Sequence, residues 1–209
     1  MMKSRSSARW PLAAVLLAIV LSTAPASALV IGDPVPKRAV AMKNVDGRRL
    51  TLASAAGPKG TLVLFTCNHC PWVRAWEDRI VRVAADARKR GIGVIAINSN
   101  DPEAYAEDSY AKMVTRAKEH GYGFPYVVDA TSEVAVAFGA THTPEAFLFD
   151  ARGRLVYHGA VDDNAQQPDQ VKASWLADAV AAAAAGRPVP LAETKAMGCG
   201  IKFRGRGTD

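Results

Sequence analysis

Residues Cys67-Asn68-His69-Cys70-Pro71 narrow what this chain can become more than any other stretch. They follow the apolar run Leu62-Val63-Leu64-Phe65. They precede apolar residues at Val73, Trp76, Ile80, Val83, Ala84 and Ala87, a spacing that predicts a helix ending near Gly91. Two thiols two residues apart, where a buried strand turns into a helix, form a redox pair more often than a structural one. Peptide dipoles at a helix N-terminus favour negative charge, so a thiol there ionises more easily, and the thiolate is the form that attacks a disulfide. Pro71 suits the first turn, where its missing N–H costs nothing. A purely structural Cys67–Cys70 disulfide is the lesser reading, because closing so short a loop gains little stability.

The rest of the chain alternates strands and helices. Gly32, Pro34 and Pro36 mark an extended lead-in. Residues 40–45 and 49–52 flank the turn signal Asp46-Gly47 and predict an N-terminal β-hairpin. Buried strands are predicted at 61–66 and 93–98, joined through the motif helix by a parallel, right-handed crossover. A helix follows around Tyr110–His120, then a strand at 126–129 and a short helix capped by Ser132 and reaching Phe138. Ala146–Phe149 and Leu155–Gly159 read as an antiparallel hairpin. A last helix, capped by Asp169, carries Val171, Trp175, Leu176 and Val180 on one face and ends at Gly186 and Pro188. The expected architecture is α/β: one central mixed sheet with helices on both faces.

The N-terminus reads as a targeting segment. Lys3, Arg5 and Arg9 make a basic start, Pro11–Leu21 is apolar but short for a membrane span, and Ala26-Ser27-Ala28 resembles a small-residue cleavage site. The expected organisation is a signal peptide at 1–28, one domain at 29–203 and a flexible basic tail at 204–209. An uncleaved anchor is the alternative. Export would make the protein periplasmic or secreted, with no membrane span after cleavage. Loss of the three N-terminal cations takes the formal charge from +6 to +3, so the high pI is no argument for nucleic acid. Arg88-Lys89-Arg90 reads as a solvated helix end. In an oxidising compartment the three cysteines matter, and Cys199 is left over once Cys67 and Cys70 pair.

Several stretches together resemble the thioredoxin-like superfamily, and within it the redoxin branch of peroxiredoxin-like thioredoxin-family proteins. They are Gly32–Pro36 with Asp46-Gly47, Cys67–Val73, Ala96–Asp101, Phe124-Pro125-Tyr126, Thr143-Pro144-Glu145, Tyr157-His158-Gly159 with Asp162-Asp163, and Gly198–Lys202, spanning residues 32–203. The resemblance implies a thioredoxin-like fold and a thiol–disulfide oxidoreductase that exchanges disulfides with protein substrates and a redox partner protein. It needs no dissociable cofactor, and a monomer is expected. Cys67 would be the more exposed, attacking cysteine and Cys70 the resolving one. Pro144 would be cis, leaving the backbone of Thr143 free to pair with a substrate segment. The chain departs from thioredoxins in lacking an acid in the strand before the motif. It departs from peroxiredoxins in lacking their Pro-x-x-x-Thr-x-x-Cys frame, since Thr66 directly precedes Cys67, so a thiol peroxidase with antioxidant activity is only an alternative.

Three further readings concern the surroundings of the pair. His69 is expected to stabilise the Cys67 thiolate and make the disulfide more oxidising. His142 raises the alternative of a copper carrier using Cys67, Cys70 and His142, although copper-delivery relatives resemble a spacing one residue longer. Cys199 is either a free, buried residue or a third exchange partner. His120 and His158 read as surface residues, Trp72 and Trp76 as core or rim, and Asp162-Asp163-Asn164 as a capped turn.

Overall fold

A computed structural model describes residues 28–205. The segment assigned to the signal peptide therefore lies outside the described residues but for Ala28, as does 206–209 of the tail. The strands are β1 (Met42–Asn44), β2 (Arg49–Leu50), β3 (Gly60–Phe65), β4 (Ile92–Asn98), β5 (Tyr126–Val128), β6 (His142–Thr143), β7 (Glu145–Asp150), β8 (Leu155–Gly159) and β9 (Cys199–Gly200). The helices are α1 (Leu52–Ala55), α2 (Pro71–Lys89), α3 (Tyr110–Glu119), α4 (Glu133–Phe138) and α5 (Trp175–Ala184).

One ladder runs β2-β1-β5-β4 and another β3-β7-β8. They meet between β3 and β4. Lys59 N–H donates to Gly91 O at the start of the two strands and Thr66 N–H to Ile97 O at their end, so the pair runs parallel. The product is a mixed sheet, with β1–β2 the expected N-terminal hairpin (Met42 opposite Leu50) and β7–β8 the later one.

Side-chain alternation along the central strands builds two cores. Leu62 and Leu64 of β3 face one side with Trp76, Ile80, Ala84 and Ala87 of α2 and Leu176 and Val180 of α5. Val63 and Phe65 face the other with Leu52 of α1 and Phe138 of α4. Phe138 sits edge-on to Phe65, Phe147 and Phe149, with centroids 5.2, 5.2 and 5.9 Å away. Truncating it to alanine would cost about 3–5 kcal/mol. Helices on both faces match the expected architecture.

Four local expectations are corrected. Ser132 does not cap α4: it sits at φ 55° with its hydroxyl on Ser99 O, and the Asp129 carboxylate accepts the Val134 and Ala135 N–H groups instead. Asp169 does not cap the last helix: it falls in a 3-10 turn (Pro168–Gln170), and α5 begins five residues later behind Ser174. Arg204, assigned to the flexible tail, is held in place. Lys202 N–H donates to Asn100 Oδ1 and Arg204 N–H to Ser132 Oγ, fastening the C-terminal segment to the loops after β4 and β5. His158 is not simply on the surface, because its ring stacks on Phe147 and bonds the buried Glu145 carboxylate at 2.6 Å. Trp76 is wholly buried, its indole N–H donating to Asp162, which also meets Arg79 at 2.6 Å; that pairing gives Asp162 a structural role.

Candidate functional site

β3 ends at Phe65 and α2 begins at Pro71, with Cys70 as N-cap and Cys67 on the connecting turn. The strand is driven into the sheet by six consecutive buried residues, and the helix is started by proline at its first position. The two sulfurs therefore stand at the helix N-terminus, as the motif predicts, and each influences the other's ionisation. Neither is open to solvent: Cys67 is 1% and Cys70 0% exposed, so Cys67 is not the more accessible sulfur that the resemblance implied.

The segment opposite is Thr143-Pro144, whose peptide bond is cis. Thr143 brackets both sulfurs. Its hydroxyl lies 3.2 Å from Cys67 Sγ, and its carbonyl accepts from Cys70 Sγ at 3.1 Å. The buried Glu145 carboxylate accepts the Thr141 and His142 N–H groups, which holds the chain ahead of the proline in place. The Thr143 backbone is not free. β9 pairs antiparallel with β6, placing Cys199 opposite Thr143 and Gly200 opposite His142. A Cβ at Gly198 would lie 2.2 Å from Thr143 O, so only glycine lets the segment approach this closely.

Cys199 is the third sulfur of the cluster. Its Sγ lies 2.7 Å from Cys70 Sγ, and it is half-buried where the other two are covered. All three are free thiols.

A polar cage closes the other side of the motif. Asp108, wholly buried in the 3-10 turn Ala106–Asp108, accepts the Asn68 N–H at 2.6 Å and the Asn100 side-chain amide at 2.8 Å, and its other contact is His69 Nδ1 at 2.5 Å. The His69 ring lies flat on Tyr105, with centroids 4.0 Å apart. Asn68 is itself buried, receiving the Tyr126 hydroxyl and donating to Glu107 O. Sequence reasoning missed Asp108, Asn68 and Tyr105; the acid- and tyrosine-rich stretch after Asn100 was the signal available. Asp108 is the carboxylate beside the cysteines that the preceding strand lacks.

Charge follows this geometry. The hydrogen bond given to Cys70, burial and the Asp108 carboxylate push the Cys67 thiol well up. The bond from Cys67 pulls the Cys70 thiol down to about 4. Burial opposes that shift, and the Cys199 thiol and the Val73 N–H add to it. Burial, then the Cys70 sulfur, push Cys199 up to about 11. The pair thus titrates as a unit holding one proton.

The metal set considered from sequence does not assemble. Among the described residues the donor atoms that converge, within 4.8 Å of one another, belong to Cys67, His69 and Asp108. His142 is absent from that group, and its ring bonds the Thr141 hydroxyl at 2.8 Å.

The AhpC/TSA family profile matches residues 31–158. The chain belongs to the AhpC/TSA family. A solved structure of an uncharacterized conserved protein from Geobacillus kaustophilus is 38% identical, with a TM-score of 0.78 over 85% of this chain and 94% of that one. A hypothetical protein from Sinorhizobium meliloti 1021 is 35% identical, with a TM-score of 0.77 over 86% and 98%. The sheet and helices are those of the thioredoxin-like redoxin branch, as the solved Peroxidoxin BcpB from Mycobacterium tuberculosis also shows at the level of fold (14% identity, TM-score 0.57, covering 75% and 96%). Among curated proteins, the thiol-disulfide oxidoreductase ResA of Halalkalibacterium halodurans is 25% identical over 115 residues, 55% of this chain. The match spans 61% of that relative's length.

Proposed function

We propose that this AhpC/TSA member is an exported thiol–disulfide oxidoreductase that exchanges disulfides with partner proteins through Cys67 and Cys70. The observation that carries the reading is the placement of two thiols at the N-terminus of α2, bracketed by the hydroxyl and carbonyl of Thr143. The likeness to ResA adds support. Transfer of the shared proton to Cys70 leaves Cys67 as thiolate, which attacks a substrate disulfide and forms a mixed disulfide. With Cys67 then neutral, Cys70 loses its proton readily, attacks Cys67 Sγ and releases the reduced substrate. Run in reverse, the same steps oxidise a dithiol. Both electrons reside in the sulfurs, so no dissociable cofactor is called for. The missing Pro-x-x-x-Thr-x-x-Cys frame argues against peroxide as the oxidant of choice.

The test is a Cys70→Ala variant in the exported compartment. It is expected to accumulate mixed disulfides through Cys67, visible as reductant-sensitive adducts, and the native protein to reduce or oxidise insulin disulfides. No adducts together with no insulin turnover would overturn the reading. Export rests on the basic start, the apolar run and Ala26-Ser27-Ala28, and predicts a mature protein whose N-terminal residue is Leu29.

A further inference from the structure

The C-terminal segment occupies the position where a substrate strand was expected. β9 lies antiparallel to the strand before Pro144, and it brings its own cysteine to the redox pair. That cysteine is held from several sides. Gly198 packs against Thr143 O, Ile201 N–H donates to Thr141 O, and Lys202 is bonded through both its N–H and its C=O to the loop at Asn100 and Asp101. The sulfur it delivers is 2.7 Å from Cys70 Sγ, a separation closed to the ~2.05 Å of a disulfide by a shift of less than about 1 Å. Cys67, Cys70 and Cys199 share one small apolar cluster with Val73 and Trp72. Cys70 thus stands between two possible partners.

We propose that Cys199 is a third redox-active thiol that takes Cys70 from Cys67, so that the disulfide alternates between Cys67–Cys70 and Cys70–Cys199. The step rests on the exchange reading above. The Cys199 thiolate attacks Cys70 Sγ of the Cys67–Cys70 disulfide, the Cys70–Cys199 bond forms, and Cys67 leaves as thiolate. The proton that Cys199 gave up ends on Cys67. No electrons are gained or lost, so no further oxidant is needed. Two consequences follow. Cys67 is freed for another substrate while the chain stays oxidised, and the disulfide moves to the half-buried sulfur that an incoming dithiol protein reaches first. That partner's thiolate attacks Cys199, Cys70 leaves as a stabilised thiolate, and the partner's second thiol closes its own disulfide and releases Cys199. Two electrons pass from partner to protein.

The experiment uses the full chain with Cys67→Ser, which leaves Cys70 and Cys199 as its thiols. Diamide, which takes two electrons and two protons on becoming its hydrazine, is the oxidant. The expected result is a fall from two titratable thiols to none in a monomer, with tryptic peptides Gly60–Arg74 and Ala196–Lys202 joined. A folded variant, by circular dichroism, that keeps both thiols in excess diamide overturns the proposal. Should Cys67→Ser not fold, the wild-type chain decides. Limited oxidation followed by acid quench and alkylation is expected to show the same joined peptides beside the internal Cys67–Cys70 form, and their absence overturns the relay. The two readings separate cleanly: joined peptides in a protein inert toward insulin would establish the third thiol and remove the exchange function.

Discussion

Cys67 and Cys70 are three residues apart, yet their surroundings differ in kind. Cys67 faces a buried anion, with Asp108 and the His69 ring among the groups nearest its sulfur. Cys70 stands at the start of α2, donating to the Thr143 carbonyl and lying 2.7 Å from Cys199 Sγ, with the Val73 N–H beside it. The interaction between the two thiols pushes them in opposite directions; burial and the Asp108 carboxylate add to the rise at Cys67, and the Cys199 thiol and the Val73 N–H add to the fall at Cys70. The difference teaches that the motif is not symmetric at rest. Cys70 is the thiol drawn down and Cys67 the thiol pushed up.

The strongest way to break this comparison is to remove one sulfur at a time. Cys67→Ser is expected to lower insulin-disulfide turnover by on the order of a thousandfold or more. The Cys70→Ala protein is expected to stop at the mixed disulfide. Equal trapping by both variants would mean that the two sulfurs are interchangeable. The pH dependence gives a second handle. Cys70 is pulled down to about 4, so thiolate absorbance at 240 nm should show one thiolate per reduced chain from pH 5 upward, lost only on further acidification. A thiolate that appears only near the ordinary cysteine value of about 8.5 would contradict the assignment.

The next largest effect is predicted at Asp108, which satisfies the Asn68 N–H, the Asn100 amide and His69 from a fully buried position. Asp108→Ala strands those donors and is expected to cost about 3 kcal/mol in urea unfolding. Asp108→Asn keeps the shape but removes the charge beside Cys67. Taking away an anion favours thiolate, so the second thiol of the pair should ionise at lower pH than in the native chain. Gly198→Ala tests the opposite wall. The added methyl meets Thr143 O, and detaching β9 should cost about 2 kcal/mol and speed alkylation of Cys199. Unchanged alkylation would show that β9 tolerates the methyl where it lies.

Much of the fold was legible because it follows from period and punctuation. The buried run before the motif, the helical spacing after it and both hairpins came from patterns confined to a few residues. The hidden half of the site has no such pattern. Asp108 lies 38 residues beyond Cys70, in a 3-10 turn that a sequence reader sees only as an acidic loop. Cys199 is 129 residues from Cys70, brought there by a two-residue strand too short to show alternation. The caps failed for a related reason. Ser132 and Asp169 have the right chemistry for N-caps, but tertiary contacts gave the α4 cap to Asp129 and shifted the start of α5 past Asp169. His142 is close to Pro144 in sequence, yet adjacent residues of a strand point to opposite faces, and it is Thr143 that meets the sulfurs.

The smallest predicted effect, and the one that most sharpens the contrast between the two sulfurs, concerns His69. Its ring spends a nitrogen on Asp108 and its face on Tyr105, so its influence on Cys67 passes through the carboxylate. His69→Ala removes the partner that offsets part of the Asp108 charge. The bare carboxylate then disfavours a thiolate on Cys67, the reduced pair loses stability, and the reduction potential should fall. A shift of about 30 mV or less is expected, up to tenfold in the exchange equilibrium with glutathione. Asp108→Asn should move the potential the other way, because it removes the anion itself. Opposite signs from two residues in hydrogen-bond contact would show that the field at Cys67, rather than packing around the motif, sets the poise. Shifts of the same sign would mean that loss of the buried cage dominates both variants.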